Sequence, residues 1–320
     1  MRLQAIRSVL CLALFFVPAH HAVVAQEESE EPPKLLGRCT VEQLGQEPFV
    51  EWFRSGYDEY EPNPAVLRAL RSVDRQGAVV TVFFGTWCGD SRREVPRMLK
   101  VFDEMGLPRD AVDLVAVDSG DDMHKRSPGG EERGLEIYRV PSLVVRRGAT
   151  EVARLVEFPV LSLERDLLAM LSGAPYEPNY RSYPVIRRWL AEGLLHDGNV
   201  SARGLANEVR PLVATEGELA AAATILLERG DTREAIKLAE VNCALHRESA
   251  SCFARLAEAR LRAGDADAAR EAAQNALRLN TSPDHVEKLV DLLERTGPHA
   301  AAGGRSPEHV QPLLPSGAAR

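Results

Sequence analysis

The chain has 320 residues, 45% of them hydrophobic, enough for ordinary globular cores and for more than one domain. Asp and Glu outnumber Lys and Arg by 47 to 39, and the net charge of −8 argues against a nucleic-acid-binding surface. Charges of both signs are interspersed, so the balance reads as solubility and not as an acidic tail.

Residues 1–25 are read as a signal peptide. Arg2 and Arg7 form a positive start, Val9 to Val17 a short apolar stretch, and Val23-Val24-Ala25 a small-residue cleavage site before Gln26. The apolar run is short for a membrane span, so no stable membrane insertion is expected after cleavage; the alternative is an uncleaved anchor. Residues 26–36 are a polar, Pro-containing linker. Export implies a periplasmic or extracellular site, where disulfides persist. Loss of Cys11 with the signal leaves Cys39, Cys88, Cys243 and Cys252.

Residues 37–175 alternate helix and strand, the pattern of an α/β sheet. Pro48 to Tyr60 and Asn63 to Val73 read as helices. Ala78 to Phe84 is apolar except for Thr81, which suits a strand buried on both faces. Ser91 to Gly106 is a helix with Val95, Met98, Leu99 and Phe102 on one side. Ala111 to Val117, Ser142 to Arg146 and Glu151 to Glu157 are further strands, and Leu163 to Leu171 a closing helix capped by Ser162.

Cys88 stands where the first long strand passes into a helix, in Trp87-Cys88-Gly89-Asp90-Ser91-Arg92. A Cys at a helix N-terminus faces unpaired N–H groups and the positive end of the helix dipole, which stabilise a thiolate. The Trp-Cys-Gly turn, with Val140-Pro141-Ser142 before a later strand, resembles the thioredoxin family over about 135 residues. That resemblance implies a nucleophilic Cys88, supported by Trp87 and by a cis-proline at Pro141. Gly89, Asp90 and Arg92 would modulate it. The family's second Cys is replaced by Ser91, and its buried Asp by Val82. A mixed disulfide at Cys88 would therefore wait for an external thiol. Ser91 either hydrogen-bonds Cys88 or is a tolerated small residue. Asp90 either tunes the thiol or serves its own helix start. The loop between Asp118 and Pro141 leads into the site, where it either selects partners or is a solvated insertion. His124 within it is a lone His, and no metal site or cofactor is expected.

Beyond Pro178 the strand signal vanishes, and residues 180–297 read as all-α. Glu228-Arg229-Gly230-Asp231 to Ala235 recurs as Arg262-Ala263-Gly264-Asp265 to Ala269, with Gly230 and Gly264 34 residues apart. This resembles the tetratricopeptide (TPR) repeat. Pro184 to Leu195 and Ser201 to Val213 form a degenerate helix pair, and Pro283 to Thr296 a capping helix. The alternative is an unrelated helical bundle. Residues 298–320, rich in Gly, Pro and Ala, are expected to be disordered. Cys243 and Cys252 flank the turn at His246-Arg247-Glu248, where a disulfide would fit an exported protein; otherwise both are small core residues. Cys39 is either a free thiol or a resolving partner for Cys88.

The expected architecture is an α/β thioredoxin-like domain followed by an all-α TPR-like repeat domain. Two functions follow. One is thiol–disulfide exchange on protein clients recruited by the repeats, with an external thiol reductant. The other is a non-catalytic thioredoxin-fold binding module with a protein-interaction surface on its repeats.

Overall fold

The computed structural model describes residues 33–75, 77–120, 123–279, 290–291 and 293–295. The expected signal peptide, the linker before residue 33 and the tail 298–320 lie outside them. Of the expected helix Pro283 to Thr296, residues 290–291 and 293–295 are described, and they are helical.

The α/β part contains β1 (Gly37–Cys39), α1 (Val41–Leu44), α2 (Val50–Asp58), α3 (Pro64–Ser72), β2 (Ala78–Phe84), α4 (Gly89–Glu104), β3 (Val112–Ala116), β4 (Ser142–Arg147), β5 (Thr150–Val156) and α5 (Leu163–Ser172). Among the described residues, five strands form one mixed sheet in the order β1-β3-β2-β4-β5. β2 runs parallel to β3 and antiparallel to β4, and β5 and β1 pair antiparallel at the two edges. The central strand β2 is covered on both faces, which explains its nearly unbroken apolar run. Val80, Val82 and Phe84 pack on one side with Val95, Met98, Leu99 and Phe102 of α4. Phe83 points the other way, toward Val115, Val117, Ile137, Val140 and Val144. Asn63 caps α3 by accepting from the N–H groups of Ala65 and Val66, and Ser162 caps α5 by accepting from that of Arg165.

Among the described residues, the α/β part is followed by the helices α6 (Ser182–Ala191), α7 (Ala202–Val209), α8 (Glu216–Arg229), α9 (Thr232–Leu245), α10 (Ala250–Arg262) and α11 (Ala266–Leu279). The two Gly-Asp corners are built alike. Gly230 and Gly264 take φ of 89° and 81°, conformations that favour glycine. The next N–H turns back in each case, Asp231 to Leu226 O at 2.9 Å and Asp265 to Arg260 O at 3.0 Å, closing the helix end.

The helical array is not a loosely attached module. Tyr138 and Val156 of the α/β part share one apolar cluster with Tyr183, Ile186, Trp189 and Leu219 of the helices. Polar ties surround that cluster. Arg126 donates to Glu228 O at 3.0 Å, and Arg229 and Arg187 form ion pairs with Glu136 at 2.6 Å and Glu151 at 3.0 Å. Arg139 contributes most. It donates from Nε to Tyr183 Oη at 2.8 Å, from Nη1 to Glu157 Oε1 at 2.9 Å and from Nη2 to Gly217 O at 3.0 Å. Its Cζ lies 4.6 Å from the Tyr180 ring centroid. Arg139→Leu removes these contacts and leaves Glu157 without its cation. It is expected to lower the unfolding free energy by about 2–4 kcal/mol, read as a fall in the urea midpoint.

Candidate active site

β2 ends at Phe84, and after the four residues Gly85 to Cys88 α4 begins. Gly85 accepts the Cys88 N–H at 3.0 Å, which closes the turn. A Cβ at Gly85 would lie 2.5 Å from the Trp87 indole, so the indole folds back over bare backbone. Trp87 Nε1 then donates to Val117 O at 2.8 Å, and Arg92 Nε to Thr86 O at 2.6 Å. The helix expected from Ser91 starts two residues earlier, which makes Cys88 itself the N-cap (φ −88°, ψ 125°). The Val140–Pro141 peptide is cis, and Cys88 Sγ donates to Val140 O at 3.3 Å.

Ser91 does not bond to Cys88. It is fully buried, and its Oγ accepts the Gly85 N–H at 3.2 Å. Its role is to hold the turn that presents the thiol. Asp90 pairs with Arg93 at 2.9 Å on the exposed side of α4. Gly89 opens α4 with free space where a Cβ would stand.

The other cysteines are separate from this site. Cys39 is level with Leu114 and Val82 in the sheet register, and it packs in the cluster on the face opposite Cys88. That placement excludes it as a resolving thiol in this structure. The disulfide expected between Cys243 and Cys252 is not formed. The Cys252 thiol donates instead to Glu216 Oε2 on α8 at 3.5 Å. Burial pushes the thiols of Cys39 and Cys243 up to about 12 and that of Cys252 up to about 11.

Cys88 opens into a cleft of about 410 Å³, walled on one side by Trp87, His124 and Lys125 and on the other by α8 and Arg255 of α10. Gly217, Ala220, Ala221 and Thr224 line it at i, i+3, i+4 and i+7, one face of α8 made of small side chains. Lys125 sits in the left-handed region (φ 54°), in a loop tied down where its N–H donates to Asp118 O at 2.8 Å. Its Nζ donates to His124 Nε2 at 2.8 Å, which leaves the ring proton on Nδ1, and the imidazole lies 5.7 Å from the Trp87 ring. Burial, then the charge of Arg139, lowers Lys125 to about 8, so it is still a cation at neutral pH. Glu157 also faces the cleft from the left-handed region (φ 62°), neutralised by Arg139 and accepting from Tyr180 Oη. The exposed side chain of Arg255 makes no hydrogen bond or ion pair among the described residues.

Sequence reasoning thus located Trp87, Cys88 and Pro141, and the structure brings them together. It missed Lys125, Arg139, Glu157 and Arg255. The one available signal was the position of the 118–141 loop. Among the described residues no His, Cys, Asp and Glu cluster could hold a metal ion, and no helix is long and apolar enough to cross a membrane. Comparison with family models, curated proteins and solved structures returned no match for this chain.

Two outcomes follow. Brief alkylation of the folded protein, mapped by peptide mass spectrometry, labels Cys88, while Cys39, Cys243 and Cys252 are labelled only after denaturation. The raised thiol values also mean that the folded chain keeps protons that the unfolded chain loses above about pH 9. That stabilisation is complete below pH 9 and is lost progressively as pH rises from 9 to the folded values of about 11 to 12. In urea titrations from pH 9 to 11, Cys243→Ala should therefore reduce the downward slope of stability by about 1 kcal/mol per pH unit.

Proposed function

We propose that this is an exported, thioredoxin-like protein that performs thiol–disulfide exchange with a single thiol, Cys88. The observation that carries the proposal is the setting of that thiol. It caps α4, its Sγ lies 3.3 Å from the carbonyl preceding a cis-proline, and Ser91, the residue one turn along, is turned away to Gly85. Further support for a thioredoxin-like sheet comes from the strand order β1-β3-β2-β4-β5, with the nucleophile at the end of β2. The matching corners at Gly230-Asp231 and Gly264-Asp265 support TPR-like repeats.

In this reading Cys88 attacks a client disulfide and forms a mixed disulfide. Ser91 cannot resolve it, since a hydroxyl does not ordinarily attack a disulfide. An external thiol completes the turnover. Reduction or isomerisation suits such a site better than net oxidation. The clients are protein disulfides, recruited by the repeat surface. A second reading, a binding module without turnover, is favoured by one feature: α8 and α10 stand across the cleft from Cys88 and restrict its approach.

Exposure of the purified protein to a disulfide-bonded model peptide distinguishes the two. The exchange reading expects a mixed disulfide at Cys88 that accumulates until a thiol is added. It expects no adduct with Cys88→Ser, and a much smaller steady-state adduct with Ser91→Cys, which restores a thiol one turn away. An adduct level unchanged by Cys88→Ser would sink the exchange reading.

A further inference from the structure

The cleft beside Cys88 has a size and charge that a protein client alone does not explain. About 410 Å³ lies within the range of small-molecule sites. The face of α8 across from the thiol carries Gly217, Ala220, Ala221 and Thr224, and larger side chains there would fill the space. Four charged groups line it: Lys125, Arg139, Arg255 and Glu157. Arg139 and Glu157 cancel in an ion pair at 2.9 Å. Lys125 and Arg255 remain: neither makes an ion pair among the described residues, and Glu228 and Glu157 act on Lys125 only at longer range. Thr224 cannot offer its proton, because Oγ1 donates to Ala220 O at 3.0 Å. The free recognition chemistry is therefore cationic, next to a sulfur that needs a second thiol.

We propose that this cleft seats the external reductant, and that the reductant is a low-molecular-mass thiol bearing a carboxylate. The proposal rests on the exchange reading of Cys88. Lys125 and Arg255 hold the carboxylate while the ligand thiolate lies against Sγ. Turnover then takes three exchanges. The Cys88 thiolate attacks a client disulfide, forms Cys88–S–S–client and expels one client thiolate. A first small thiolate attacks Cys88 Sγ, expels the second client thiolate and leaves the small thiol disulfide-bonded to Cys88. A second small thiolate attacks the small-molecule sulfur of that bond, forms the free small disulfide and returns the Cys88 thiolate. The client gains two electrons and, with solvent protons, becomes a dithiol; two small thiols lose the same two electrons.

The test converts Cys88 to its neutral 2-thiopyridyl disulfide and follows release of 2-thiopyridone on attack by 3-mercaptopropionate, 2-mercaptoethanol or cysteamine. Each rate is divided by that of the same thiol with a small pyridyl disulfide. We expect the carboxylate thiol to be favoured over the cationic one by about tenfold, the scale of a partly screened charge pair. That preference should shrink toward parity in Lys125→Met and in 0.5 M salt (about 4 Å screening length), and invert in Arg255→Glu. Equal normalised rates in the unmodified protein, or a preference unchanged by Arg255→Glu, overturn the seat and leave the exchange reading standing. A folded protein in which Cys88 cannot form the adduct overturns both.

Discussion

The guanidinium of Arg139 is the interaction on which the arrangement of the site depends. Its three nitrogens reach Tyr183 on α6, Glu157 after β5 and Gly217 at the start of α8. Burial opposes its charge, but Tyr183, Glu157 and Tyr180 outweigh that cost and keep the group firmly protonated. A planar fork with donors in fixed directions is suited to such a junction, and a lysine would not reproduce it. Because Arg139 lies two residues before Pro141, the bond network that places α8 also places the carbonyl facing Cys88.

The chemistry at Cys88 is limited by what surrounds it. The backbone of the Gly85–Cys88 turn is held by Ser91, Arg92 and Trp87, each spending its polar group on the main chain. None of them carries a thiol that could exchange with the sulfur. Cys39 is on the far face of the sheet, and Cys243 and Cys252 are buried among the C-terminal helices. A thiol isolated in this way can join a disulfide but needs a partner from solution to leave it. The helices contribute the opposite wall of the cleft that such a partner would enter.

Much of the fold was legible because strong local signals agreed with tertiary burial. The run Ala78–Phe84 is apolar because β2 is central and covered on both sides, and Asn63-Pro64 and Ser162 start helices where capping chemistry places them. β1 and α1 were not foreseen: three and four residues are too short to carry a period, and β1 exists through its pairing with β3. The disulfide expectation failed because two cysteines near one turn need their side chains aimed at each other, and the Cys252 thiol is aimed at Glu216. Ser91 could not be assigned from sequence, since its choice between Cys88 and the Gly85 amide depends on the path of the turn.

By itself, the sequence determined the position of the thiol at a strand-to-helix junction, the absence of a neighbouring second Cys, and the recurrence of Gly-Asp corners 34 residues apart. These are local properties, written in residue type and spacing. Only the tertiary structure decided that the helices close over Cys88, and that Lys125, Arg139, Glu157 and Arg255 meet there. Those residues come from the 118–141 loop, a strand end and a distant helix, and share no period or motif. The physical reason is that a charged cleft is assembled by packing, and here the packing of Tyr138 and Val156 against α6 and α8 sets which side chains face the sulfur.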